Sequence, residues 1–335
     1  MNNTTIYDIA KEADVSISTV SRVINGKGHL VKEATRLKVE KILEKNNYMP
    51  NLAARGLASK TMNTIGVLTV DIRDDHHAHS AYTIEHEFSK LGYTCALYNT
   101  GDFEETKEHY IRMLAERHVD GAILIGSVFQ DQAIEQCLER YMPKVPFVIL
   151  NGYLHQPNVC GIVCDDVAGI EMAIKSLSQR GHKEIAYVQD LDTISSKKKV
   201  TGYHNGMDKL GIAKEKRMVV HAENSFDGGY QAALDVIKSN PNISAIVFGE
   251  DITAVGGMKA LKAQGYSIPK DIEVIGFNNS IYSRICTPTL SSVDNKLALM
   301  AKKATQTLYD MINGENISTQ ILVMPELINR ESTRE

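Results

Sequence analysis

The chain has 335 residues, of which 43% are hydrophobic and 23% are charged, and its formal net charge is −4. This composition is typical of a soluble globular protein, and there is no low-complexity tract, 18-residue apolar run or signal peptide. Disordered, membrane-spanning and secreted classes are therefore excluded, and a cytoplasmic location is expected. The five cysteines lack CxxC spacing, which argues against a disulfide framework, and the length exceeds one ordinary hydrophobic core.

The N-terminal segment predicts two short helices joined by a tight turn. Thr5 followed by Asp8 fits the pattern that caps a first helix, whose buried stripe consists of Ile6, Ile9, Ala10 and Ala13. Ser16 is placed to cap a second helix, Ile17 to Ile24. A third helix, about Ala34 to Asn46, is expected to close the core through Leu37, Ile42 and Leu43.

The second helix has an outward face suited to the major groove of double-stranded DNA. We predict that three of its residues read bases, namely Ile17, Ser18 and Arg22. Hydroxyls suited to phosphate oxygens are offered by Tyr7, Ser16, Thr19 and Ser21. Residues 1–62 hold ten Lys/Arg and six Asp/Glu, so a basic head precedes an acidic body.

These residues resemble the LacI/GalR family of transcriptional repressors. The match is carried by Tyr7-Asp8-Ile9-Ala10, Val15-Ser16, Thr19 to Asn25, Tyr48-Met49-Pro50-Asn51 and Ala54-Arg55-Gly56-Leu57. The resemblance implies that residues 50–62 form a hinge helix on the operator and that Leu57 wedges into the minor groove, beside Ala54 and Arg55. It also implies phosphate contacts by Asn25 and Asn51.

The rest of the chain alternates strand-like and helical segments, which indicates parallel sheets. Expected strands are Ile65–Val70, Thr94–Tyr98, Ala122–Ile125, Phe147–Leu150, Ile185–Val188, Met218–Val220, Ala245–Phe248 and Ile272–Ile275. Expected helices are Ala81–Leu91, Thr106–Arg117, Val167–Gln179, Lys199–Leu210, Tyr230–Lys238 and Thr253–Gln264. The predicted fold is an all-α helix-turn-helix domain plus an α/β body with two doubly wound parallel-sheet lobes, which by the resemblance is similar to periplasmic sugar-binding proteins.

The resemblance divides the chain into four parts. A helix-turn-helix domain covers 1–49 and the hinge covers 50–62. The N-terminal lobe of the body takes 63–162 and 292–325, and the C-terminal lobe takes 163–291.

Small ligands of such sheets bind beyond the carboxyl ends of the strands, so candidate effector residues follow the strands. They are His76, His77, Asn151, Asp165, Lys199, Phe226, Glu250 and Asn278. Three histidines, His76, His77 and His79, lie near Asp74 and Asp75, so a divalent metal is an alternative to a polar effector or a solvated loop. No metal or other cofactor is predicted.

Several of these residues depart from the family pattern. Lys199 stands where the family has an effector-clamping Arg, Glu250 where it has Asn, and Asn278 where many relatives have Asp. Phe226 aligns with an aromatic residue that stacks on effectors. Lys199 and Glu250 either pair across the cleft, face an unusual effector, or are ordinary surface charges.

The sequence therefore predicts a repressor that binds a palindromic operator as a homodimer under control of a small-molecule effector, a sugar or sugar derivative. The alternatives are a regulator without an effector and one controlled by a protein corepressor. Catabolite control proteins have Arg-Pro where this chain has Thr287-Pro288. The loss of that positive charge weakens the alternative of control by a protein corepressor. There is no P-loop, GxGxxG, HExxH or GxSxG motif, so no enzymatic activity is expected, and no membrane partner is expected.

Overall fold

The computed structural model describes residues 4–24, 26–48, 61–190 and 192–334. The chain divides into two units, a head, Met1–Met62, and a body, Asn63–Glu335. Within the described residues, none of the helices has the length and apolar character that crossing a bilayer requires.

The described part of the head contains three α-helices, which are α1 (Ile6–Ala13), α2 (Ile17–Ile24) and α3 (Glu33–Lys45). A 3₁₀ turn, Gly28–Leu30, precedes α3. Thr5 and Asp8 form a reciprocal capping box, with Thr5 N donating to Asp8 Oδ2 at 2.9 Å. The box satisfies backbone amides that the first turn leaves without partners.

The head encloses a small apolar core. Its buried side chains are Ile9, Ala10, Ala13, Val20 and Val39. Glu12 ties α1 to α3 by accepting from Lys45 Nζ at 2.7 Å and from Asn46 Nδ2 at 3.0 Å.

The prediction that Leu37 closes this core is wrong. Leu37 is 47% exposed, and Val39 is buried instead. Two residues along a helix rotate the side chain by about 200°, so Leu37 points away from the face of Val39.

The body's first lobe is built on a six-stranded sheet. Its strands are β1 (Thr64–Thr69), β2 (Thr94–Asn99), β3 (Gly121–Ile125), β4 (Phe147–Leu150), β5 (Val159–Cys164) and β11 (Gln320–Val323). They are all parallel, in the order β11-β5-β4-β3-β1-β2. The flanking helices are α4 (Asp75–Lys90), α5 (Glu104–Glu116), α6 (Gln132–Tyr141) and α12 (Leu297–Ile312).

The second lobe has its own six-stranded sheet, in the order β12-β10-β9-β8-β6-β7. The strands are β6 (Ile185–Gln189), β7 (Met218–His221), β8 (Ala245–Phe248), β9 (Glu273–Phe277), β10 (Ser291–Asp294) and β12 (Glu326–Ile328). Only β12 is antiparallel to its neighbour in these ladders. The helices are α7 (Asp166–Gln179), α8 (Ile194–Lys209), α9 (Phe226–Ser239), α10 (Asp251–Ala263) and α11 (Ile281–Ile285). The predicted fold class is confirmed.

The chain crosses between the lobes three times, after β5, after β10 and after β11. The first crossing lies two residues beyond the predicted boundary at 162, because β5 continues to Cys164. The second also lies later than predicted, since β10 pairs with β9 through Ser291, Ser292 and Val293. The third crossing, after β11, brings β12 into the second sheet. The prediction had assigned no segment after residue 291 to that lobe.

Candidate functional site

The predicted base-reading residues lie on the surface of the head. Ile17 is 41% exposed, and Ser18 and Arg22 are exposed as well. All three belong to α2, whose opposite side is anchored by the buried Val20. The helix thus presents one apolar, one hydroxyl and one guanidinium group to solvent.

The hydroxyls predicted to contact phosphate lie at the start of α2 and on α1. Ser16 Oγ accepts from Thr19 N at 3.2 Å, so it caps α2, and it lies 2.8 Å from Ser18 Oγ. Tyr7 is 68% exposed, while Thr19 and Ser21 are half-buried. The remaining predicted DNA contacts, Asn25, Asn51, Ala54, Arg55 and Leu57, lie outside the described residues.

A cavity of about 920 Å³ lies between the two lobes of the body. It opens at the carboxyl ends of the strands, where the segments after β1, β3 and β4 face those after β8, β9 and β10. Of the predicted effector residues, those that line it are His76, His77, Asn151, Lys199, Glu250 and Asn278. The volume suits a small polar ligand, because ligand clefts commonly measure about 300–1,000 Å³.

Asp165 and Phe226 do not line this cavity. Asp165 instead caps α7, accepting from Ala168 N at 2.9 Å, and the next residue, Asp166, lines the cavity in its place. Phe226 begins α9 and is 38% exposed, while the preceding Asn224 lines the cavity.

Lys199 is buried, and protein groups surround its ammonium. Nζ donates to Gly249 O at 2.8 Å and to Glu250 Oε1 at 3.0 Å, and it lies 4.0 Å from the ring centroid of Phe277. Burial alone would lower the pKa of Lys199, but Glu250, Asp166 and Asp190 outweigh it and raise the pKa. The Lys199–Glu250 pair forms inside the second lobe and does not span the cleft.

The chain departs from the family pattern at both Asn278 and Glu250, and these two side chains contact each other. Asn278 Nδ2 donates to Glu250 Oε2, and Asn278 Oδ1 accepts from Asn295 Nδ2 at 2.8 Å. An Asp at 278 would place a second carboxylate against Glu250, whereas the amide supplies a donor. Burial raises the pKa of Glu250, and the Lys199 ammonium opposes that rise.

The histidines at the start of α4 stand at the first-lobe wall. Burial, followed by the nearby His77, Lys199 and His79, lowers the pKa of His76 to about 3. His77 Nδ1 lies 3.1 Å from Asp71 O, and His79 is exposed. In the described part of the chain, no group of three His, Cys, Asp or Glu residues is arranged to hold a metal ion.

Sequence reasoning missed Asp166, Asn224, Ser195, Ser127 and Asn295 as cavity residues. Ser195 Oγ donates to Asp166 Oδ2 at 2.6 Å, and Ser195 N donates to Ser127 Oγ of the first lobe at 3.4 Å. The two lobes therefore touch at the cavity wall. Asn295 follows β10, a strand that the sequence analysis had not identified, so the rule of inspecting strand ends did not reach it.

Comparisons with known proteins agree with both units. The family described as bacterial regulatory proteins, lacI family, matches residues 5–51, and a periplasmic binding protein-like domain matches 174–333. An HTH-type transcriptional regulator of Lachnoclostridium phytofermentans is 32% identical over 98% of this chain and 99% of its own length. This chain belongs to the LacI family.

Solved structures of similar proteins agree with this family. The lac repressor dimer bound to operator and the anti-inducer ONPF has a TM-score of 0.90 at 25% identity, covering 99% of both chains. A complex of the transcriptional regulator CelR with cellobiose has a TM-score of 0.73 at 25% identity, covering 98% of this chain and 99% of that one. As a LacI-family member, the protein is a DNA-binding transcriptional repressor, and its relatives are regulators rather than enzymes.

Proposed function

We propose that this LacI-family protein is an effector-responsive repressor that binds a palindromic operator as a homodimer. The observation that carries the proposal is the polar cavity between the lobes, to which both sheets contribute strand ends. The lac repressor and CelR, whose structures hold an anti-inducer and cellobiose, support a carbohydrate as the effector class. The proposed division remains a helix-turn-helix domain at 1–49, a hinge at 50–62 and two body lobes.

On the DNA side, Ile17, Ser18 and Arg22 would read base edges in the major groove. Phosphate contacts would come from Tyr7, Ser16, Thr19, Ser21, Asn25 and Asn51. The hinge would bring Ala54, Arg55 and Leu57 to the minor groove, where an apolar wedge bends DNA by unstacking a base step. A dimer would place two heads on the two half-sites.

Arg22→Ala should relax specificity at one base pair of each half-site, because an Arg fork on guanine contributes about 1–3 kcal/mol of discrimination. The measurement is fluorescence anisotropy on the operator and on operators substituted at single positions. Lys38→Ala, which removes an exposed positive charge from α3, is the control for a general electrostatic loss. Uniform weakening on every sequence would make Arg22 a phosphate contact.

On the effector side, a ligand selective for the folded state should raise the apparent stability of the full chain. The test is a thermal-shift screen of free sugars and sugar derivatives, followed by operator binding with and without each ligand that stabilises the protein. We expect at least one ligand to raise the melting temperature and to change operator affinity. Release from the operator would identify an inducer, and tighter binding a corepressor.

A regulator without an effector is the second candidate, and one observation favours it. Lys199, which replaces the clamping Arg, donates to groups of the protein itself. A screen in which no ligand shifts the melting temperature or operator affinity would support this candidate.

A further inference from the structure

The cavity contains buried polar atoms that have no hydrogen-bond partner among the described residues. They are His76 Nδ1, Asp166 Oδ1, Ser196 Oγ, Asn224 Oδ1 and Asn295 Oδ1. Three of these atoms can only accept a hydrogen bond, and none of the five is an amide or ammonium donor. A ligand that presents donors would satisfy them.

The orientation of Asn295 follows from its neighbours. Glu250 can only accept when it is ionised, so Asn278 must turn its Nδ2 toward Glu250 and its Oδ1 toward Asn295. Asn295 then donates through Nδ2, and its Oδ1 is left for another donor. The Glu250 carboxylate therefore fixes the orientation of the Asn278 and Asn295 side-chain amides. This orientation leaves Asn295 Oδ1 as the acceptor for a ligand.

The positive charges around the cavity are already engaged or lie at its rim. Arg73 binds Asp71 through Nε and Nη2, Lys296 binds Asp294 and Glu326, and Lys199 is held as described above. Arg284 is exposed. An anionic ligand would therefore find no uncommitted buried cation among the described lining residues.

Carboxyl groups, in contrast, are abundant in the lining. They belong to Asp71, Asp74, Asp75, Asp102, Asp166, Glu250, Asp251 and Asp294. Asp166 stands out because its residue is only 4% exposed and one of its oxygens has no partner in the described part of the chain. Its other oxygen accepts from Ser195, which holds the carboxyl group in place.

We infer that the effector is a polyhydroxylated amine, such as an amino sugar, whose ammonium group binds Asp166 and whose hydroxyls donate to Asn224 and Asn295. Burial raises the pKa of Asp166, which the Lys199 ammonium opposes, and a ligand ammonium would further favour the ionised form while donating to the oxygen that has no partner. A sugar phosphate or acidic sugar would add a negative charge beside Asp166. This inference rests on the proposed effector-binding function and specifies the ligand class.

The test is isothermal titration calorimetry on the full chain with matched sets of probes. Each set contains a hexose, its 2-amino-2-deoxy derivative and its 6-phosphate, for the gluco, galacto and manno configurations. In at least one set, we expect the amine to bind at least about tenfold more tightly than the parent sugar, the order expected for a charge-assisted contact, and the phosphate not to bind.

Asp166→Asn keeps the shape and the Ser195 contact but removes the charge. It should reduce the amine preference, measured as the ratio of the two affinities, to about twofold. Asp102→Asn is the matched control, because Asp102 also lines the cavity but is exposed and paired with Lys107 at 2.9 Å. If Asp166→Asn does not fold, the order of binding within each set on the unaltered protein decides the ligand class.

The outcomes separate the two proposals. A parent sugar or a phosphate that binds more tightly than its amine, and shifts operator affinity, overturns the amine inference but supports effector control. Absence of binding by every probe overturns the amine inference, and the broader thermal-shift screen then decides whether the repressor has an effector. An amine preference that survives in Asp166→Asn overturns the assignment of the ammonium to Asp166.

Discussion

At the scale of single residues, Lys199 places a positive charge inside the second lobe. Its stability there depends on Glu250, which accepts from Nζ at 3.0 Å, and on the Gly249 carbonyl. Removing one member of a buried pair strands the other charge in a medium of low dielectric constant. The effects of mutating Lys199 and Glu250 on the free energy of unfolding should therefore depend on each other.

Lys199→Met should lower the free energy of unfolding by about 3–5 kcal/mol, because Glu250 then lacks its cation. The double variant Lys199→Met/Glu250→Gln should recover most of that loss, since Asn278 can still contact the new amide. Urea denaturation of the three proteins measures both effects. Equal stability of the single and double variants would contradict the predicted recovery.

His76 makes the stability of the body depend on pH. Its folded pKa, about 3, lies below the value of about 6.5 expected in an unfolded chain. The unfolded chain therefore takes up a proton first as the pH falls. The stability that His76 provides is complete above pH 6.5 and is lost progressively below it.

We expect the unaltered protein to lose up to about 1.4 kcal/mol per pH unit relative to His76→Asn below pH 6.5. Urea unfolding at pH 7.5, 6.5, 5.5 and 5.0 measures the difference. His86→Asn, on the exposed side of the same helix, should follow the unaltered protein. Parallel stability curves for the unaltered protein and His76→Asn would contradict the prediction.

At the scale of elements, α9 and α10 cross at two glycines. A Cβ atom on Gly229 would lie 2.0 Å from Thr253 O, and one on Gly256 would lie 1.9 Å from Phe226 O. Both contacts meet backbone, which cannot rotate aside as a side chain can. The two helices can approach this closely only because neither glycine has a side chain.

Gly256→Ala should destabilise the protein by about 1–3 kcal/mol or more, because the helices must separate to admit a methyl group. Chemical denaturation measures the change. Gln231→Ala on the exposed face of α9 is the control and should stay within about 0.5 kcal/mol. A neutral Gly256→Ala variant would refute the close crossing.

The elements that sequence reasoning located were those with clear periodicity, including every strand from β1 to β4 and from β6 to β9. It missed β5, whose sequence VCGIVC is buried throughout and interrupted by a glycine, so no alternation of apolar and polar residues marked it. The sequence could not predict which atoms of Lys199, Glu250 and Asn278 contact each other. These contacts join segments about 50 and 28 residues apart, whereas periodicity reports only on local structure.

At the scale of the whole body, three crossing segments join two lobes that each have their own sheet and core. Such connections permit rotation of one lobe against the other, and a ligand that contacts both walls would favour one arrangement. His76 and His77 lie on one wall, and Lys199 and Glu250 on the other. Ligand preference and lobe geometry are therefore expected to be coupled.

The contact between Ser127 and Ser195 offers a way to control that geometry with a redox reagent. Ser195 N lies 3.4 Å from Ser127 Oγ, which brings the two residues close enough to test a pair of cysteines for disulfide formation under mild oxidation. Burial raises the pKa of the native Cys160 and Cys164 thiols, which limits competing exchange. Thiol titration should show loss of two thiols in Ser127→Cys/Ser195→Cys but not in Ser127→Cys alone; unchanged thiol content in the double variant would contradict this. An oxidant would then lock the lobes together and a reductant release them, and under the proposed effector control this would switch operator binding without an effector.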